Sequence, residues 1–201
     1  TWCRTRFLER TDLPAWAKDA PVVMGLNRTW FDHPDLLKKW LNDYWAKNFP
    51  GVPFLVILEG WEHHGDWITT EYFPCYPSDD KFKEMMGWIK AVGGHPWPWP
   101  GGHHWNVTVG KKTDGTYRLD FSKDFWARVA EHAVRNPDGQ VAFDDLDWLG
   151  GGTSATLCPA DPWTVSWWNK DIACELVKRG ADLVQADQDV GARVRSCWSR
   201  E

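Results

Sequence analysis

Along most of this chain, short apolar segments alternate with segments whose apolar residues recur at helical spacing. Residues 21–26 form a short apolar run of the buried-strand kind, and residues 53–58 are apolar on both faces, as expected of a parallel strand that helices cover. Residues 181–186 are predicted to form a further strand. Over residues 34–48, apolar side chains recur at steps of three and four, which predicts an amphipathic helix with proline in its first turn. Strands that alternate with helices predict a parallel α/β architecture.

Further helices are predicted where Ser78, Ser122 and Asp161 precede helical patterns of apolar residues. Two segments depart from the alternation. Residues 95–100 carry alternate prolines, which remove ladder donors, so we expect a strand end or a rigid aromatic loop rather than a central strand. Residues 106–121 alternate weakly around an Asp-Gly pair, which predicts a β-hairpin.

Composition argues against two classes of partner. Lys and Arg number 23 against 28 Asp and Glu, and the net charge of −5 offers no basic field for a phosphate backbone. No apolar run approaches the roughly 18 to 20 residues of a membrane-spanning helix. We therefore expect neither nucleic acid nor membrane as a partner. The five cysteines are widely and irregularly spaced, so they do not decide the cellular compartment.

Tryptophan is the compositional anomaly, with 17 in 201 residues. A core of this size does not require so many rings, because Leu, Ile and Val pack as well without an indole N–H to satisfy. Some of them lie at helical spacing and are predicted to pack in the core: Trp40, Trp88, Trp126 and Trp167. Six others lie in predicted loops, where contact with a ligand and a structural role are both open: Trp61, Trp67, Trp97, Trp99, Trp105 and Trp148.

Ligands of parallel α/β folds bind at the carboxyl ends of the strands. Four segments selected by this rule combine carboxylates or imidazoles with tryptophans or an amide: residues 59–66, 95–105, 144–147 and 187–189. An indole face packs on the C–H face of a sugar ring, while charged acceptors hold its hydroxyl groups. The four segments therefore predict a carbohydrate site.

Glu59 and Asp187 each follow an apolar run directly, which places both carboxylates at strand ends. Two such groups can hydrolyse a glycoside, with Asp187 as nucleophile or base and Glu59 as general acid. Ordinary strand-end carboxylates that accept loop hydrogen bonds are the alternative. The predicted sugar contacts are drawn from the aromatic and polar side chains of the four segments: Trp61, His63, His64, Asp66, Trp97, Trp99, His103, His104, Trp105, Asp145, Asp147, Gln188 and Asp189.

The histidine pairs at 63–64 and 103–104 could instead hold zinc, but neither an HxH nor an HExxH spacing occurs. The acidic cluster at 144–147 lacks the spacing of a calcium loop. We therefore expect no metal and no other cofactor. A glycoside hydrolase acting on an oligo- or polysaccharide is the leading hypothesis. A noncatalytic carbohydrate-binding protein and a His-ligated metal-dependent hydrolase remain open.

A set of short motifs occurs in order along the chain: Leu-Glu-Gly-Trp-Glu-His-His at 58–64, Tyr-Phe-Pro at 72–74, Gly-Gly-His at 93–95, His-Trp-Asn at 104–106, Leu-Cys-Pro at 157–159, Ala-Asp-Gln at 186–188 and a later Cys197. This order, over about residues 53–198, resembles a family of uncharacterised bacterial TIM-barrel proteins. That family is grouped with glycoside hydrolases, distantly near the endo-α-N-acetylgalactosaminidases.

The resemblance implies a (β/α)8-type barrel acting on carbohydrate, with Asp187 as candidate nucleophile and Trp61, His63 and Trp105 as contacts. A full barrel typically needs about 250 residues, and the pattern contains only four or five strand–helix units. We therefore predict an N-terminal arm over 1–20 and a partial or compact barrel over 21–201. The arm or a second copy of the chain would cover its open sheet edges. A smaller complete α/β domain is the alternative, and a secreted or periplasmic location is preferred to a cytoplasmic one.

Overall fold

The computed structural model describes residues 14–20, 22–64, 70–185 and 196–198. Its helices are α1 (Ala15–Asp19), α2 (Arg28–Asp32), α3 (Pro34–Trp40), α4 (Ala46–Asn48), α5 (Asp79–Ala91), α6 (Ser122–Asp124), α7 (Pro162–Ser166) and α8 (Cys174–Lys178). Its strands are β1 (Val22–Leu26), β2 (Phe54–Leu58), β3 (Gly94–Pro98), β4 (His104–Lys111), β5 (Tyr117–Asp120), β6 (Phe143–Asp145) and β7 (Gly152–Thr156). Wider π-helical turns occupy Leu41–Trp45, Phe125–Val129 and Trp167–Ala173, and single 3-10 turns occupy Ala130–His132 and Asp147–Leu149.

Strands β1, β2 and β3 form a parallel sheet in that order. Helices α2 to α4 connect β1 to β2, and α5 connects β2 to β3. The Ser78 hydroxyl accepts the backbone N–H of Lys81 and caps α5, as predicted. The predicted parallel α/β arrangement is therefore confirmed for residues 22–98, although these strands do not close into a barrel within the described part of the chain.

The two faces of this sheet differ in burial. Phe54, Val56 and Leu58 are fully buried on the face that the helices cover, where the Trp45 ring lies 4.2 Å from that of Phe54. On the other face, Val23 remains 54% exposed. Side chains alternate along a strand, so this second face is the one that would line the interior of a barrel.

Contrary to expectation, the proline-rich segment forms β3, a full parallel strand. The backbone N–H of Trp99 donates to the Leu58 carbonyl of β2 at 3.3 Å, so alternate residues turn their nitrogens away from β2. Pro96 and Pro98 occupy those outward positions, where a missing N–H breaks no bond to β2. Proline is compatible with this strand because only one of its edges needs donors.

The outer edge of β3 is paired through the proline carbonyls. The backbone N–H of Asp182 donates to the Pro96 carbonyl at 2.9 Å, and that of Gln185 donates to Pro98 at 3.4 Å. Both contacts advance in the same direction along the two chains, so residues 182–185 run parallel to β3. Residues 181–185 of the predicted strand over 181–186 are described and form no regular strand, but residues 182–185 lie beside β3 in the fourth position of the sheet.

Residues 104–157 form a second sheet, with the order β5-β4-β7-β6 and antiparallel pairing throughout. The predicted hairpin is confirmed as β4 and β5, whose turn contains Gly115 at φ 85°. A parallel arrangement over this stretch is wrong, because β6 and β7 also pair antiparallel. The sheet is inserted between β3 and α7, at the carboxyl end of β3.

Three of the four tryptophans predicted in the core pack against it. Trp167 is buried, and Trp40 and Trp88 are partly buried against the core. The prediction is wrong for Trp126, which is 59% exposed. A π-helical turn begins at residue 125, and Phe125 and Val129 occupy its buried side. No helix in the described part of the chain is long and apolar enough to cross a bilayer.

Candidate functional site

The three parallel strands end level with one another. Leu26, Leu58 and Pro98 are paired in register, and the backbone N–H of Glu59 donates to the Leu26 carbonyl at 2.9 Å. The ladder therefore continues one residue past each strand. We call the row formed by Asn27, Glu59 and Trp99 the carboxyl edge.

Glu59 lies at this edge and is partly buried. Burial alternates along β2, with Leu55 and Ile57 on the face opposite the helices. Glu59 continues that alternation, and register places Trp97 and Trp99 on the same face of β3 and its extension. The carboxylate therefore lies on the barrel-interior side, next to two half-buried indoles.

Asp187, Gln188 and Asp189 lie outside the described residues, as does Asp66. The structure does describe the residues that precede Asp187, up to Gln185. Residues 182–185 run beside β3 toward the carboxyl edge, and Gln185 bonds to the last residue of β3.

Two predicted sugar platforms are buried inside the protein. The Trp61 ring is fully buried, 5.8 Å from Tyr72 and 5.9 Å from Phe82. Trp105 is 2% exposed and packs 5.6 Å from Trp167. A ring with both faces packed against protein cannot stack on a sugar in this conformation, so both indoles act as core residues here.

The predicted segment 95–105 does not lie together at the edge. His95 stands near the amino end of β3, where its Nδ1 lies 2.8 Å from Asp182 and its ring stacks on Trp16 at 3.8 Å. His104 is buried at the start of β4. His103 is partly exposed, with its ring 5.9 Å from that of Trp168.

The acidic residues of segment 144–147 do not follow a parallel strand. Asp145 is exposed on β6, which is the edge strand of the antiparallel sheet, and Asp147 begins the 3-10 turn beyond it. Asp145 and Asp147 were predicted at the site because ligands bind at the carboxyl ends of parallel strands. Since β6 is antiparallel to its neighbour, that argument does not apply to them.

The loop after β2 is attached to its surroundings by direct bonds. The backbone N–H of Tyr76 donates to the Trp61 carbonyl at 2.7 Å, and the Tyr72 hydroxyl accepts the N–H of Gly101 at 3.2 Å. The guanidinium of Arg28 lies 3.2 Å from the centre of the Tyr76 ring. These contacts hold residues 61–64 and 70–76 together near the carboxyl edge.

Two histidines and a glutamate meet in this loop. The Nε2 of His64 lies 2.8 Å from a carboxylate oxygen of Glu71, and the Nδ1 of His63 lies 3.1 Å from the Pro74 carbonyl. One donor atom from each of His63, His64 and Glu71 can be chosen so that all three lie within 4.8 Å of one another. The predicted histidine pair at 63–64 is thus brought together with a carboxylate that the sequence reasoning did not select.

A second missed residue is Glu62, whose side chain is fully buried. Burial raises the pKa of the Cys75 thiol well above its ordinary value. The negative charges of Asp79 and Glu62 add to this effect. A buried carboxylate is costly and marks a site worth testing. The signal in the sequence was its place in the Trp-Glu-His-His run directly after a predicted strand.

A bidentate ion pair connects this loop to the far end of the chain. Arg179, just after α8, donates to both carboxylate oxygens of Asp79 at 3.0 and 2.7 Å, and the Cys75 N–H donates to the same carboxylate at 2.7 Å. The hydrogen bonds from Arg179 lower the pKa of Asp79 despite its partial burial. The ion pair between Asp79 and Arg179 therefore holds the loop after β2 from a partly buried position.

Comparisons with known proteins bear on the fold. No protein-family model matches the chain, and no curated protein matches it in sequence. Several solved structures match in fold. The α-galactosidase TtGalA from Thermus thermophilus matches at a TM-score of 0.57 and 13% identity, over 84% of this chain and 30% of its own. The α-N-acetylgalactosaminidase NagBb from Bifidobacterium bifidum matches at a TM-score of 0.57 and 15% identity, over 97% and 34%.

The maltogenic α-amylase AmyB from Thermotoga neapolitana matches at a TM-score of 0.56 and 12% identity, over 87% of this chain and 40% of its own. These structures are TIM-barrel glycoside hydrolases, and the chain spans about a third of their length. At such low identity the likeness establishes fold alone. The chain therefore shares its fold with about a third of each of these structures, and its described residues contain a three-stranded parallel sheet without a closed barrel.

Proposed function

We propose that this chain is a carbohydrate-active protein that hydrolyses glycosidic bonds at its carboxyl edge. Asp187 serves as nucleophile or base and Glu59 as general acid, while Trp97 and Trp99 provide the sugar platform. The observation that carries the proposal is the position of Glu59, level with Trp99 and on the same, barrel-interior face.

The spacing of the strands supports the pairing of the two carboxylates. Residues 182–185 occupy the position next to β3, two strands away from β2 and Glu59. Neighbouring strands lie about 4.8 Å apart, which gives about 10 Å between the two backbones. Glycosidase carboxylates lie roughly 5 to 9.5 Å apart, and the proposal requires Asp187, two residues beyond the described segment, to reach that range from Glu59.

The remaining polar contacts come from the loops around the edge. His63, His64 and His103 are partly exposed imidazoles that can bond to sugar hydroxyls. Asp66, Gln188 and Asp189 belong to the proposal on sequence grounds, whereas buried Trp61 and Trp105 support the site from within. The structural neighbours direct the choice of substrate, because TtGalA was solved with an α-galactopyranoside and with stachyose, and NagBb with GalNAc.

The proposal is tested by screening the 201-residue chain against α-galactosides, α-N-acetylgalactosaminides and α-glucans, and measuring reducing-sugar release. We expect turnover by the wild-type chain and none by Asp187→Asn. Glu59→Gln is expected to lower kcat by about 10² to 10⁴-fold, the range for loss of a general acid. The matched controls Asp80→Asn and Glu84→Gln alter exposed side chains on α5 and should retain full activity.

Unchanged turnover in Asp187→Asn would remove that residue from the mechanism. Quenching of tryptophan fluorescence by these sugars, without any cleavage by the wild-type chain, would contradict the hydrolase and favour a binding protein.

A further inference from the structure

We propose that His63, His64 and Glu71 form a zinc-binding site in the loop after β2. Donor atoms from the three side chains lie within 4.8 Å of one another, and no other such three-ligand group occurs among the described residues. The proposal does not depend on glycoside hydrolysis, since metal binding is measured without any sugar.

The hydrogen bond of His63 leaves one of its ring nitrogens available to a metal. Its Nδ1 lies 3.1 Å from the Pro74 carbonyl oxygen, which can only accept, so Nδ1 carries the hydrogen. In the neutral ring the lone pair is then on Nε2. Histidines that bind metals usually donate their other N–H to a carbonyl or carboxylate in this way.

The contact between His64 and Glu71 occupies the place where a cation would bind. Their Nε2 and Oε2 atoms lie 2.8 Å apart, so one proton lies between them in a hydrogen bond. A divalent metal can replace that proton and bind both atoms. The ring centres of His63 and His64 lie only 4.6 Å apart, so the second imidazole is next to the same point.

Only a small movement is needed to reach metal-ligand distances. With bonds of about 2.1 Å, the donors of a tetrahedral site lie roughly 3.4 Å apart, compared with at most 4.8 Å here. Glu71 is 51% exposed, so its side chain can rotate without disturbing the core. The backbone on either side is held, because Trp61 and Tyr72 are buried.

The donor set suits zinc. Two imidazoles and one carboxylate match a zinc site with three protein ligands, in which a water or a substrate oxygen takes the fourth position. Calcium and magnesium prefer sites built of oxygen atoms. The open coordination position of such a site would lie near the carboxyl edge, where a sugar hydroxyl could occupy it.

The test is titration of the untagged chain with ZnCl2 by calorimetry and with CoCl2 by visible absorption. We expect one equivalent to bind and Co²⁺ to give the intense visible band of a four-coordinate complex. No thiolate-to-cobalt band should appear in the ultraviolet, which excludes the exposed thiols of Cys174 and Cys197 as ligands.

Glu71→Gln keeps the shape of the side chain and removes its charge, and His64→Ala removes one imidazole. Each is expected to weaken Zn²⁺ binding by about 100-fold or more. Substitution of a residue that only contacts a metal ligand already costs about 10- to 100-fold, and loss of the ligand itself should cost at least as much. The matched controls are Glu84→Gln on α5 and His33→Asn between α2 and α3, both exposed and outside the loop. They should bind Zn²⁺ like the wild type.

Nitrogen NMR of the imidazole groups gives a readout on the unaltered chain, independent of whether a variant folds. Zn²⁺ should shift the ring nitrogens of His63 and His64 and leave those of His33 unchanged. The proposal is overturned if one equivalent of Zn²⁺ does not bind, if those nitrogens do not respond, or if the control substitutions weaken binding equally. Zinc binding without sugar cleavage would contradict only the proposed hydrolase, and cleavage without zinc binding only the metal site.

Discussion

Gly152→Ala is expected to destabilise the protein by about 3 kcal/mol or more, because it combines backbone strain with a clash in the antiparallel sheet. Gly152 begins β7 at φ 137°, a conformation that L side chains rarely adopt. A Cβ atom there would lie 2.2 Å from the Thr108 carbonyl oxygen and 3.0 Å from the Cα of Val109. Both obstacles are backbone atoms of β4, so a side-chain rotation cannot relieve them.

Two other glycines provide the controls for this substitution. Gly87 lies inside α5, and no atom lies within 4 Å of the position that an added methyl group would take, so Gly87→Ala should stabilise by about 0.5 to 1 kcal/mol. Gly115 has φ 85° but open space around it, so Gly115→Ala isolates the cost of strain. Urea unfolding followed by circular dichroism measures all three. A Gly152→Ala protein no less stable than Gly115→Ala would contradict the close approach of β7 to β4.

Asp79→Asn is expected to lower the free energy of unfolding at neutral pH by about 2 kcal/mol. It removes the charge that Arg179 holds through two hydrogen bonds, and the side chains of the two residues are only 29% and 13% exposed. Arg179 keeps its contact with the Glu175 carboxylate at 2.6 Å, but the N–H groups that face Asp79 lose a charged acceptor in a partly desolvated position. The substitution also weakens the acceptor for the Cys75 N–H, so the loop after β2 should lose protection from hydrogen exchange.

The effect of Asp79→Asn should depend on pH in a defined direction. The hydrogen bonds from Arg179 lower the pKa of Asp79 in the folded protein. The carboxylate therefore contributes its full stabilisation above the unfolded-state pKa of about 3.9, and loses it as pH falls through the lower folded-state value. The gap in stability between the wild type and Asp79→Asn should accordingly shrink below about pH 4.

The matched control is Asp124→Asn, which removes an exposed pair with Arg128 within one helical stretch. Such pairs contribute about 0.5 kcal/mol or less. A difference between wild type and Asp79→Asn that is no larger than this, or that persists unchanged in acid, would show that Arg179 does not hold the loop through Asp79.

Sequence patterns predicted the parallel part of the fold because that part is built from local signals. The apolar runs of β1 and β2 and the serine that caps α5 all act over a few residues. The proline-rich β3 was missed because proline was judged as if both edges of a strand needed donors. Which edge of β3 faces β2 is a tertiary property, and the prolines lie on the other edge.

The candidate site was predicted in part for a similar reason. Glu59 could be placed at a strand end from the apolar run before it. The burial of Trp61 could not be predicted, because it depends on Tyr72 and Phe82 packing against its ring from later parts of the chain. Glu71 was missed because no spacing rule connects it to His64, seven residues earlier along a loop.

By itself, the sequence determined the positions of most strands and helices, the hairpin and the strand-end location of Glu59, since each follows from periodicity and capping within a short window. Only the tertiary structure decided which tryptophans are buried, that residues 104–157 form an inserted antiparallel sheet, and that His63 and His64 meet Glu71. Those outcomes depend on contacts between distant segments, whose geometry no local pattern of residues specifies.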